Sequence, residues 1–208
     1  MRIARAEAKE RNRRALLDAA RGVVAQDGYR ARLDDIAARA DLTTGAVYSL
    51  FGSKNGLMSA LVADHLGPHY AGIEQVVVAD LSLTDAVDAF ARYYRRVCED
   101  PDALRHLSFE ISLLDLALRD PALREALAAA LRVHEERLTA LFAGRAHRGT
   151  IVSAGQARRL AIALRALLVG LGQGLLLGPA DVASEQYFAD AARALTAPEV
   201  LGPVLGPE

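Results

Sequence analysis

The side chains best suited to chemistry in this sequence lie between Arg32 and Lys54. Thr43, Thr44, Gly45 and Ala46 open a short segment of helical periodicity; Tyr48 and Ser49 follow one turn on, and Lys54 closes the run. Small side chains at a helix start leave it free to enter a DNA major groove, where threonine can hydrogen-bond to base edges and alanine can meet a thymine methyl. Tyr48, as a hydroxyl donor, and Lys54, as a cation, complete a rim suited to phosphate. Tyr48 has packing as its second reading, and Ser49 reads equally as a contact or as a solvated serine.

The elements that must position these groups follow from spacing. Leu33, Ile36, Ala37 and Ala40 share a helical face, and after a break at Asp41 and Leu42 the apolar positions resume at Val47, Leu50 and Phe51. Two short helices joined by so short a turn cross steeply, with Ala37 small enough to let the backbones approach. That is the pattern of a helix-turn-helix. Its turn needs one residue in the left-handed region, for which Asp41 is the candidate, and Thr43 is placed to cap the second helix.

The run LDDIAARADLTTGAVYSLFGSK resembles the DNA-binding region of the tetracycline-repressor-like (TetR) family of bacterial regulators, through DIAARA, TTGAVY, Phe51 and the pair Ser53-Lys54. The resemblance covers about residues 9 to 60. It implies operator contacts from Arg32, Thr43, Thr44, Gly45, Ala46, Tyr48, Ser49 and Lys54. The chain departs from the family pattern at Arg32, where a hydroxyl residue is usual, at Asp41 for Gly, at Thr44 for Lys, and near Ser49 and Leu50 for His or Tyr. Arg32 is expected to make a phosphate contact that the family makes with a hydroxyl.

Composition agrees with a contact confined to one end. The formal net charge of −1 conceals eleven basic against seven acidic residues over 1–60, leaving the remainder acidic, which excludes a strongly basic, histone-like binder. Residues 1–14 carry six basic residues and two Glu, read either as an arm near phosphate or as a solvated helix end, and no secretory signal follows them. The single cysteine, Cys98, permits no intrachain disulfide. It reads as a packed residue, with a redox role beside Arg95 and Arg96 as the other reading. His65 and His69 are separated by Gly67-Pro68, which is expected to end a helix and place both on a surface turn. No metal motif, cofactor loop, nucleophile elbow or facing carboxylate pair occurs, Glu135-Glu136 reads as solvated surface, and no enzymatic activity is expected.

The remaining chain, at 52% hydrophobic overall, is ample for a helical bundle. Expected helices span about 9–26, 53–66, a weak 70–78, 82–99, 101–119, 121–143, 153–177 and 183–195, with Tyr29 packing back on the first of them. The tail that follows the last, APEVLGPVLGPE, is expected to be mobile at its end. The 101–119 segment carries Leu104, Leu107, Ile111, Leu114 and Leu118 on one stripe and Phe109, Leu113 and Leu116 on another, placing it inside the bundle. Tyr94, His106, Phe109, Glu110 and Ser112 are the candidates for lining a ligand cavity, each with internal packing or exposure as its alternative. From Leu160 to Gly178 only Arg165 and Gln173 are polar. Arg165 and the glycines at 170, 172 and 174 speak against a membrane span and for a helix half-covered by a second subunit, the glycines allowing close approach there. Leu131, His134, Leu138, Leu164, Leu167 and Leu171 are the expected dimer contacts.

The sequence thus reads as an all-α homodimer with a DNA-binding domain at 1–52 and a ligand-binding and dimerisation domain at 53–208. The resemblance implies a cytoplasmic regulator, a repressor released from a palindromic operator by a small molecule, with no cofactor or membrane partner. A regulator whose body binds another protein is the alternative, and a helical enzyme with an incidental helix-turn-helix is a weaker third.

Overall fold

The computed structural model describes residues 2–178 and 184–202, leaving the side chains of residues 2–4, 29 and 66–71 outside the description. Tyr29 and His69 are among these. Helix α1 (Arg2–Asp27) presents Leu16, Ala20, Val23 and Val24 at helical spacing, and all of them are buried. It begins well before Lys9, so the basic N-terminal stretch forms helical turns. A single 3-10 turn (Gly28–Arg30) leads to α2 (Leu33–Arg39) and α3 (Thr44–Phe51), followed by α4 (Lys54–Val76).

Then come α5 (Leu83–Val97), α6 (Ala103–Arg119) and α7 (Pro121–Phe142). A two-stranded antiparallel hairpin, β1 (Ala146–His147) with β2 (Thr150–Ile151), precedes α8 (Ala154–Leu177), α9 (Glu185–Ala194) and α10 (Pro198–Leu201). The hairpin is absent from the sequence expectation. Its two turn residues, Arg148 and Gly149, both have positive φ, as the tightest hairpin turns require.

Two compact units account for the packing. The first comprises residues up to 67 together with 105–130. Its core joins α1, Ile36, Ala37 and Val47 to Leu57, Leu61 and Val62 of α4, Phe109, Leu113 and Ala117 of α6, and Leu123 of α7. Contact density therefore does not divide at 52/53, because the start of α4 and much of α6 belong to the same core as the helix-turn-helix. Arg14 and Arg21, seven residues apart and so on one face of α1, both pair with Asp64 of α4, at 2.9 and 2.6 Å.

The second unit takes 68–104 and 131–208. Phe90, Leu138, Phe142, Leu160, Leu164, Leu168 and Phe188 form its centre. Ser82 caps α5, and Ser153 with Gln156 closes a reciprocal capping box on α8. Arg145 is buried, with no ion pair to a carboxylate among the described residues: its guanidinium donates to the carbonyls of Leu141, Val77, Val78 and Leu81, tying the α4–α5 connection to the end of α7. Burial lowers its pKa below the ordinary arginine value, with Asp80 opposing the effect. Asp88 of α5 pairs with both Arg92 and Arg193, fastening α9 to α5.

Several expectations are corrected. Helix α4 does not stop at Gly67-Pro68 but continues to Val76 and absorbs the weak 70–78 segment, because Ile73 and Val77 are anchored in the second core. His65 is accordingly buried rather than on a surface turn. Helix α6 is covered on one side only: Leu107, Phe109 and Leu113 are buried, whereas Leu104, Ile111, Leu114 and Leu118 stay exposed. Glu135 is not mere solvated surface, since it accepts from Arg165 at 3.2 Å. In the tail, Pro198–Leu201 is helical, Leu201 is buried, and its carbonyl accepts from Arg159; the end expected to be mobile, residues 203–208, lies outside the described residues, as does Ala183.

Candidate nucleic-acid interface

The turn between α2 and α3 is built as its residue types dictate. Ala40 ends α2, Asp41 takes φ 54°, and the amide of Leu42 donates back to the carbonyl of Ala37 at 2.9 Å. Thr43 sits in extended backbone at the start of α3, and its hydroxyl accepts from the Ala46 amide at 3.3 Å. One of the four amides that a helix leaves unpaired at its start is thereby satisfied.

The exposed edge of α3 carries the expected side chains. Thr43, Gly45 and Ser49 are exposed, Thr44 and Ala46 are half-covered, and Tyr48 is 55% exposed although it is a large aromatic residue. A Cβ added at Gly45 would meet nothing nearer than the Thr43 hydroxyl at 3.6 Å. Gly45 is therefore not demanded by internal packing. Val47 lies on the opposite face, fully buried.

The cations at the rim are tethered. Lys54 Nζ donates to the Ala31 carbonyl at 3.0 Å, which fixes the ammonium beside the 3-10 turn and leaves two hydrogens for another acceptor. Arg32 is exposed and loosely paired with Asp34, at 3.8 Å. Arg13 of α1 stacks over Phe51 at 5.4 Å from the ring centre, which steadies the end of α3.

Among the residues that hold this geometry, sequence reasoning took Ser53 only as half of the Ser53-Lys54 match and did not single out Gly56 or Asp34. Ser53 caps α4 by accepting from Gly56 at 2.9 Å. A Cβ at Gly56 would fall 2.0 Å from the carbonyl oxygen of Phe51, so the α3–α4 joint closes only around glycine. Asp34 accepts from the Thr44 hydroxyl at 3.1 Å. The S-x-x-G spacing signals the cap; the Asp34 contact, ten residues from its partner, has no local signature.

Residues 16–61 match the bacterial regulatory proteins, tetR family. A TetR-family member from Streptomyces coelicolor superposes with a TM-score of 0.62 at 27% identity, covering 93% of this chain and 99% of the other. Residues 16–61 thus carry a TetR-family DNA-binding region. The chain's fold is also that of a Rhodococcus transcriptional regulator, with a TM-score of 0.63, 21% identity and coverage of 88% and 92%. Multidrug binding protein EbrR, complexed with imidazole, gives 0.62 at 25% identity over 93% and 96%. Comparison with curated proteins gives no match. An all-α TetR architecture with an N-terminal helix-turn-helix and a helical C-terminal part is thus established, and with it a DNA-binding regulator of transcription.

The candidate ligand residues are not all brought together. Tyr94 lies in the second unit, edge-on to Phe90, whereas His106, Phe109, Glu110 and Ser112 lie in the first. Phe109 is fully buried in the first core and presents no surface to a cavity. It packs edge-on against His65 at 4.9 Å, and Glu110 pairs with His65 Nε2 at 2.9 Å, so these groups are engaged with α4. A concavity of about 610 Å³ in the second unit is lined instead by Val77, Leu81, Leu141, Arg145 and Ile151, among others.

Two of the expected dimer contacts are corrected as well. Leu138 and Leu164 are fully buried in the second unit's own core, leaving no side-chain surface for a partner; Leu131, His134, Leu167 and Leu171 are half-buried. Gly172 is likewise used internally, since a Cβ there would come within 3.0 Å of Tyr94 and 3.2 Å of the Cys98 sulfur, while Gly170 and Gly174 have open space.

Proposed function

We propose that this chain is a homodimeric repressor that binds a palindromic operator and is released from it by a small-molecule effector. The observation that carries the DNA half is the capped, outward-facing start of α3, with small residues at its tip and Tyr48 and Lys54 on its rim. Operator contacts are assigned to Arg32, Thr43, Thr44, Gly45, Ala46, Tyr48, Ser49 and Lys54, and the division of labour to 1–52 and 53–208.

Dimerisation is supported by α8. This helix is long and apolar enough to cross a membrane by composition, with a mean hydropathy of 2.0 in its most apolar window, yet only 28% of that window is buried in one chain. Ile162, Ala166 and Gly170 form an exposed face on it, and Val133 is exposed on α7. An isologous contact along these helices covers that surface and supplies the two-fold axis that a palindromic site requires. Leu131, His134, Leu167 and Leu171 flank it. Effector binding is supported by the likeness to EbrR, described as a multidrug binding protein.

Selection of bound fragments from genomic DNA tests the reading, followed by binding measurements on the selected duplex as salt is raised. A recurrent inverted repeat bound with a steep salt dependence is the expected result. The absence of any enriched sequence overturns it.

A further inference from the structure

Within the operator-binding reading, Asp34 bears on which bases α3 can accept. Thr44 is the first residue of α3, and its hydroxyl lies 3.1 Å from a carboxylate oxygen of Asp34, in the first turn of α2. An ionised carboxylate has no proton to give, so the single hydroxyl hydrogen is donated to Asp34. What Thr44 can present outward is a pair of oxygen lone pairs and a methyl group. In the major groove an acceptor meets the amino groups of adenine and cytosine, whereas guanine offers only its own acceptors, N7 and O6.

We propose that Asp34 is a specificity-determining positioning residue: by holding the Thr44 proton it turns the first side chain of α3 into an acceptor that favours adenine or cytosine over guanine at the base it faces. A free threonine hydroxyl donates or accepts and tolerates either kind of base. The carboxylate has a second effect. At 69% side-chain exposure, with Arg32 only loosely paired to it, Asp34 repels phosphate and lowers affinity for every sequence alike.

Two substitutions separate the effects. Asp34→Asn keeps an oxygen that accepts from Thr44 and removes the charge; Asp34→Ala removes both. The full-length protein is first used to select a duplex from a randomised library. Each variant is then titrated against a panel in which every position of one half-site is replaced in turn. In the wild type one position is expected to discriminate against guanine by about tenfold, the cost usual for one mismatched pair. Asp34→Ala should reduce that ratio to about twofold or less, and Asp34→Asn should preserve it while binding all duplexes more tightly. Thr44→Val should abolish the ratio, and adding Asp34→Ala to it should change nothing further. Because each ratio compares duplexes on one protein, partial unfolding of a variant cancels. A wild-type ratio retained in Asp34→Ala, or lost equally in Asp34→Asn, overturns the inference while operator binding stands. A wild type that selects no sequence overturns the operator-binding reading, and the inference with it.

Discussion

At the scale of single residues, Lys54 and Arg145 show how the same kind of charge serves two ends. The Lys54 ammonium spends one hydrogen on the Ala31 carbonyl and is otherwise exposed, which holds it in place without neutralising it. Lys54→Ala should weaken binding to all sequences alike and flatten the logarithmic salt slope by about one unit; titration at several salt concentrations reads this directly, and an unchanged slope removes Lys54 from the phosphate contacts. Arg145 is spent wholly on carbonyls inside the second unit. Arg145→Met fills similar space but strands those oxygens, so it should cost about 2–3 kcal/mol of stability, seen as a lower denaturant midpoint. Only the first role is written in the local sequence. Lys54 was legible as a cation at a helix start, whereas Val77, Val78 and Leu81, whose carbonyls accept from Arg145, lie more than sixty residues away and no spacing rule reaches them.

At the scale of elements, the helix-turn-helix was legible because every device in it is local: the apolar spacing of α2, the left-handed Asp41 and the Thr43 cap lie within a dozen residues. The joint after it depends on the Gly56 contact, and Gly56→Ala forces the Phe51 carbonyl or the start of α4 to move. The expected cost is about 2–3 kcal/mol, with weaker operator binding in proportion to the displaced Lys54; calorimetric unfolding of the variant beside Gly45→Ala, whose Cβ has space, isolates the effect. Helix α4 was misread for the opposite reason. Pro68 removes one backbone bond, to the carbonyl of Asp64, and normally ends a helix. Here Leu57, Leu61 and Val62 before it and Ile73 and Val77 after it are all buried, and that burial outweighs one lost bond. The exposed stripe on α6 and the use of Gly172 inside the protomer were likewise invisible to periodicity, which finds an apolar face but not what covers it.

At the scale of the whole molecule, the proposed dimer and the proposed release by effector make linked demands. Ile162 is 42% exposed on the apolar helix α8, so Ile162→Arg leaves the single chain intact and places an unpaired charge in the proposed interface, where it is expensive. Sedimentation should show a wild-type dimer at micromolar concentration and a monomeric variant with an unchanged helical spectrum; a wild-type monomer rejects the assembly. A dimer gives the effector something to act on, because DNA fixes the spacing of successive grooves while the protein sets that of its two recognition helices. Helix α4 begins with Lys54 at the proposed phosphate rim and gives Leu57 and Leu61 to the first core and Ile73 to the second. An effector held by the body that biases α4 therefore biases the spacing of the heads. Release requires little energy: a coupling of about 1.4 kcal/mol lowers operator affinity tenfold. Linkage makes the effect reciprocal, so a compound found to raise the melting temperature should bind about tenfold more weakly when operator is saturating. Pro68, inside α4, is where that helix lacks a backbone bond. Pro68→Ala restores it and should change the coupling factor more than either separate affinity. Calorimetric titration of the compound with and without the selected operator, for both proteins, measures all four affinities. An effector affinity untouched by operator in the wild type rejects allosteric release, and equal coupling in both proteins removes Pro68 from the mechanism.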